Sequence, residues 1–165
     1  MGTRCELTIR DSGENEDGTK WYNAIELWKH YDGYPSGITK LLNDFAKYAK
    51  ENCGNQPHKL GYAEDFASAL IAFSAINEGD LKPEMKGKVN FYPQVVPRGN
   101  IDDAEYTYLI ERSGERYANN VLNVKCYHDA NQIIRDSFKN GTESAPDETF
   151  VIQMPLPPQS GIMMF

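Results

Sequence analysis

Much of what usually identifies a protein is missing from this 165-residue chain. No apolar run approaches the roughly 18–20 residues that a helix needs to cross a bilayer. The opening Met-Gly-Thr-Arg-Cys-Glu lacks the basic-then-apolar layout of a secretion signal. Together these readings give an expectation of a cytoplasmic protein with no membrane partner. Cysteine is scarce: Cys5, Cys53 and Cys126 form an odd set at unrelated spacings, which suits reduced thiols better than a disulfide framework or a zinc site. No run of Lys and Arg interrupts a net charge of −7. An acidic chain repels phosphate backbones, so nucleic acid is a disfavoured partner. There is no internal repeat and no long linker. The glycine-rich phosphate loops, the paired Cys-x-x-Cys, His-Glu-x-x-His and the Gly-x-Ser-x-Gly elbow are all missing as well. Nucleotide hydrolases, dinucleotide enzymes, zinc peptidases and serine hydrolases of familiar type drop out with them. No cofactor and no metal site is expected.

The remaining composition is that of an ordinary globular domain, 40% hydrophobic and 25% charged, and the length suits a single domain over 1–165. Residues 4–10 alternate, with Cys5, Leu7 and Ile9 on one side, as in a half-buried strand. Residues 20–29 form a second strand, and the Asp17-Gly18 pair between them marks a hairpin. The period then lengthens. Ile38, Leu41, Leu42, Phe45 and Tyr48 predict a helix ending near Asn52, and Phe66, Leu70, Phe73 and Ile76 predict another over Ala63–Asn77, stopped by Gly79. Strands follow at 88–92, 105–111 and 120–128, the last two joined by a Ser113-Gly114-Glu115 turn. A third helix is expected from Asp129, with Asp129 as its cap and Ile133, Ile134 and Phe138 as its apolar side, stopped at Asn140-Gly141. Thr149–Met154 makes a last strand before the Pro-rich, apolar tail of 155–165. This order predicts an α+β domain: a mainly antiparallel sheet of about five or six strands, with two to three helices packed on one face and the other face wetter.

The stretch His30-Tyr31-Asp32-Gly33-Tyr34-Pro35-Ser36-Gly37 is the densest candidate for chemistry. Gly33 can take a positive φ, Tyr34-Pro35 must be extended, and Ser36 is placed to cap the helix that follows. A helix start offers free N–H groups to an anion, with Tyr31 and Tyr34 as stacking surfaces, so a small anionic ligand is a candidate here. If the first two strands pair, Arg4 lies near Asp32. A catalytic version, a hydrolase or transferase of unfamiliar type, would use Asp32 as base, His30 as proton carrier and Arg4 as anion holder. The plainer reading is a rigid strand-to-helix connection. Cys126-x-His128-Asp129 is a weak metal spacing, and Tyr106 and Tyr108 with Lys125 and Tyr127 resemble a base-stacking platform, but few basic residues accompany them and tyrosines on a solvated sheet face explain the row as well. The tail or the exposed sheet face is a candidate surface for a homodimer or another protein partner.

The Met-Gly-Thr-Arg opening, the aromatic strand running into Trp28-x-x-Tyr31-Asp-Gly-Tyr-Pro-Ser-Gly37, and the later Glu105-Tyr-Thr-Tyr-Leu-Ile-Glu111 resemble a group of small proteins from prokaryotes, phages and fungi for which no activity is established. The resemblance covers Met1 to about Leu42 and that later strand. It implies a shared scaffold centred on the hairpin and the glycine loop, marked by Gly2, Thr3, Arg4, Asp32, Gly33, Tyr34, Pro35 and Gly37. The reading that results is a small binding or interaction module. The alternatives are the unfamiliar enzyme just described and a phage-derived inhibitor that presents acidic surface to a basic host protein.

Overall fold

The computed structural model describes residues 3–52, 62–77, 93–95, 104–113, 121–129 and 131–154. The expected strand at 88–92, the stop at Gly79, the turn at Gly114-Glu115 and the tail 155–165 lie outside them. The elements run β1 (Cys5–Glu14), β2 (Lys20–Lys29), α1 (Pro35–Asn52), α2 (Ala63–Asn77), β3 (Gln94–Val95), β4 (Tyr106–Ser113), β5 (Val121–Tyr127), α3 (Gln132–Asn140) and β6 (Glu148–Gln153). Among the described residues the strands form a sheet in the order β3-β2-β1-β4-β5-β6. The fold is α+β, and every pairing is antiparallel except β1 with β4, which is parallel. That exception follows from connectivity, because two helices lie in the chain between β1–β2 and β4 and a crossover returns the chain in the same direction.

Cys5, Leu7 and Ile9 of β1 pair alongside Leu27 and Ile25 of β2 and Tyr106, Tyr108 and Ile110 of β4. They share a core with Leu122, Val124, Cys126 and Ile152, covered by Ile38, Leu41, Leu42 and Phe45 of α1 and Phe66, Leu70 and Phe73 of α2. Asp11 fixes α2 by accepting the N–H of Ala63 at 2.5 Å, which satisfies one of the free amides of that helix start. The acid therefore has a structural task.

Two helices share a face, but α3 does not join them. It lies against β1 and β2 on the opposite side, where Phe138 and Ile134 pack on Leu109 and Tyr127. The second face at the sheet centre is thus closed over, and Glu6, Thr8, Arg10 and Thr107 are buried beneath it. The polar alternation reads as a wet face, yet here it is a buried polar layer. Arg10 organises one part of that layer. Its guanidinium donates two bonds to Glu143, at 2.9 and 2.8 Å, one to Glu111 at 2.9 Å and one to the Phe138 carbonyl at 2.7 Å. It also sits 4.9 Å over the Tyr22 ring. Burial alone would push Glu143 up; the Arg10 bonds reverse this and pull its pKa down to about 2.

Asn131 caps α3, its side chain accepting the Ile134 N–H at 2.9 Å; Asp129 does not. Arg135 and Phe138 face inward and Ile133 stands 81% exposed, about 200° around the helix from Arg135 at 100° per residue. The predicted stop holds: Gly141 takes φ 70°, and a Cβ there would strike the Tyr22 ring.

Candidate functional site

One end of the sheet gathers the chemically distinctive residues. The β1–β2 register sets Cys5 opposite Lys29, which brings the chain start beside the loop leaving β2. Gly33 donates its N–H to the Thr3 carbonyl at 2.9 Å, and a Cβ on Gly33 would lie 2.7 Å from that of Cys5 and 3.0 Å from the Arg4 carbonyl carbon. Arg4 is therefore adjacent to the loop, and its own carbonyl accepts the Glu105 N–H at 2.9 Å.

The loop's details differ from the sequence expectation in two ways. Asp32, not Gly33, takes the left-handed conformation, at φ 57°; a short polar side chain tolerates this better than most. Gly33 is needed for space and not for its dihedral freedom. The helix opens at Pro35, so Ser36 lies inside the first turn and does not cap it. Proline suits that opening position, because its absent N–H would have no partner there in any case. The Tyr34 carbonyl accepts from both Gly37 and Ile38, at 2.9 and 3.0 Å. Gly37 lies directly over the Asp32 backbone, where a Cβ would come within 2.3 Å of the Asp32 oxygen.

The loop is anchored from below by Tyr108, whose buried hydroxyl donates to the Gly33 carbonyl at 2.6 Å. The same hydroxyl meets the Cys126 sulfur, and burial together with the neighbouring thiols pushes its pKa up. Burial also raises the Cys126 thiol to about 11. The tyrosine platform is therefore ruled out: Tyr108 faces the α1/α2 core, while Lys125 and Tyr127 project from the other side, because Cys126 is the residue opposite Tyr108.

Above the anchor, Asp32 lies exposed with the Tyr34 hydroxyl donating to it at 3.3 Å. Tyr31 and Tyr34 are 37% and 41% exposed. His30 packs edge-on against Trp28, ring centroids 5.5 Å apart, and lies 6.3 Å from Tyr31. Around this end stand further acids, Glu105, Asp129, Asp147 and Glu148, all exposed.

A second cluster adjoins the first. β5 places Cys126 and His128 two residues apart, and the β5–β6 register sets Glu148 opposite Cys126. His128 Nε2 lies 2.6 Å from Glu148 Oε2, a contact that raises the histidine pKa. The thiol, imidazole and carboxylate ligand atoms all fall within 4.8 Å of one another. Sequence reading found the Cys-x-His pair but joined it to Asp129. Glu148 lies twenty positions beyond His128 and becomes visible only through strand register. No family model, no curated protein and no solved structure matches the chain.

Proposed function

We propose that the protein is a small interaction module that presents the Tyr31–Tyr34 loop and the first turn of α1 to a basic segment of a partner protein. The observation that carries this reading is the exposed Asp32 carboxylate, which accepts the Tyr34 hydroxyl, in a loop that also exposes Tyr31 and is anchored at Gly33 through both its N–H and its carbonyl. A carboxylate beside an exposed tyrosine suits an Arg or Lys side chain, which gains an ion pair and ring contact together. Tyrosine on a rigid loop contributes contact area at little entropic cost. The net charge of −7 favours encounter with a basic surface.

The small anionic ligand suggested by the helix start fits less well. The amides of Gly33, Gly37 and Ile38 already serve carbonyls, and Asp32 sets a negative charge where the anion would sit. The enzyme reading has less behind it, since Asp32 accepts from Tyr34 and His30 packs edge-on against Trp28. An NMR titration tests the proposal with an arginine-rich peptide in one arm and inorganic pyrophosphate in the other. The peptide should shift the amides of 31–36 before any others. Shifts spread evenly over all acidic segments, or confined to the pyrophosphate arm, would reject the interaction-loop reading.

A further inference from the structure

We propose that Cys126, His128 and Glu148 form a binding site for a borderline-soft divalent cation, zinc by its donor set. Three features of the geometry support this. The ligand atoms are already gathered within 4.8 Å. With metal–ligand distances of roughly 2.0–2.3 Å, a tetrahedral ion holds its ligand atoms roughly 3.3–3.7 Å apart, so the adjustment needed is small. The exposed His128 and Glu148 side chains can make it, while the buried Cys126 stays in place.

The donor types come next. A thiolate sulfur, an imidazole nitrogen and a carboxylate oxygen together suit zinc and its neighbours, and the thiolate selects against magnesium and calcium. Three protein ligands with a solvent-facing side also leave one position open to water.

The surroundings already orient the ligands. The Asp147 carboxylate accepts the His128 backbone N–H at 2.8 Å. The Tyr106 ring meets the imidazole edge-on at 5.4 Å, and the Tyr108 hydroxyl meets the Cys126 sulfur. These contacts hold the His128 backbone, its ring and the Cys126 sulfur in place around the cluster. The His128–Glu148 contact at 2.6 Å is where the cation takes the place of a proton. Binding releases that proton and the thiol proton of Cys126 to solvent, so affinity rises with pH.

Cobalt titration of the whole chain, followed by absorption, reads the site directly, because a thiolate ligand gives a sulfur-to-cobalt charge-transfer band. Wild type and Cys53→Ser should both show the band at one equivalent, and Cys126→Ser should lose it. Cys126 lies in the core, so the exposed positions decide the matter. His128→Ala and Glu148→Gln should each weaken cobalt binding by more than the about 10–100-fold typical of losing a supporting contact. No band in the wild type, or a change below tenfold in both His128→Ala and Glu148→Gln, overturns the proposal. The peptide titration of the loop is read on other residues and without metal, so either proposal can fail alone.

Discussion

Replacing Glu6 by glutamine should stabilise the protein at neutral pH and leave it unchanged in acid. Glu6 is buried in the polar layer under α3, beside Thr107 on β4 and two residues from Thr8. One carboxylate oxygen accepts from Arg135 at 3.2 Å. Among the described residues the other has no hydrogen-bond partner, and neither do the Thr8 and Thr107 hydroxyl oxygens. Burial pushes the Glu6 pKa up from its ordinary 4.5 to about 7, against the pull of Arg135. The folded state therefore holds the Glu6 proton more tightly than the unfolded chain. Stability from this group is fully present below pH 4.5 and is lost as pH rises through 7. At about 1.4 kcal/mol per pKa unit, ionised Glu6 costs the fold about 3 kcal/mol above pH 7. Glutamine resembles the protonated acid, still accepts from Arg135, and offers an N–H to the threonine oxygens. Urea denaturation at pH 4 and pH 8 tests this. The variant should match wild type at pH 4 and exceed it by about 3 kcal/mol at pH 8, or about 6–12 °C in Tm for a chain of this size. A glutamine variant less stable than wild type at pH 8 would refute the reasoning, because it would mean that the ionised pair with Arg135 repays its burial.

Three further outcomes follow from the same contacts. Glu143 behaves oppositely to Glu6: its pKa is lowered to about 2, so its contribution is present above pH 4.5 and lost as pH falls through 2, and Glu143→Gln should flatten the acid limb of a stability–pH curve. Gly37→Ala should cost about 1–3 kcal/mol in denaturant unfolding through overpacking, because its Cβ would strike the Asp32 oxygen, whereas an unaltered midpoint would show that the loop yields. Asn131→Ala should cost about 1 kcal/mol by removing the α3 cap, while Asp129→Ala should stay within about 0.5 kcal/mol; the reverse order would restore Asp129 as the cap.

Helices and most strands were legible because their signals are local. The 3.6-residue spacing of Ile38, Leu41, Leu42 and Phe45 and the alternation of Cys5, Leu7 and Ile9 reappear in the core unchanged. The placement of α3 was not legible, because a short helix with one buried arginine carries no mark of which sheet face it will cover. The burial of Arg10 and Arg135 was not legible either, because only their partners, Glu143, Glu111 and Glu6, explain it. Those partners lie at separations of 101 to 133 residues, beyond any spacing rule. The loop at 30–37 was found from its glycines and proline, yet the positive φ fell on Asp32. Glu148 escaped because it meets Cys126 through strand register alone.

The interaction loop is tested most directly by calorimetric titration of one arginine-rich peptide into wild type, Asp32→Asn and Tyr34→Ala at two salt concentrations. The account predicts binding to wild type that weakens with salt, and at least a tenfold loss in each variant, which corresponds to about 1.4 kcal/mol. Equal affinity for all three proteins would contradict it, because the peptide would then be responding to net charge and not to the Asp32 carboxylate beside Tyr34.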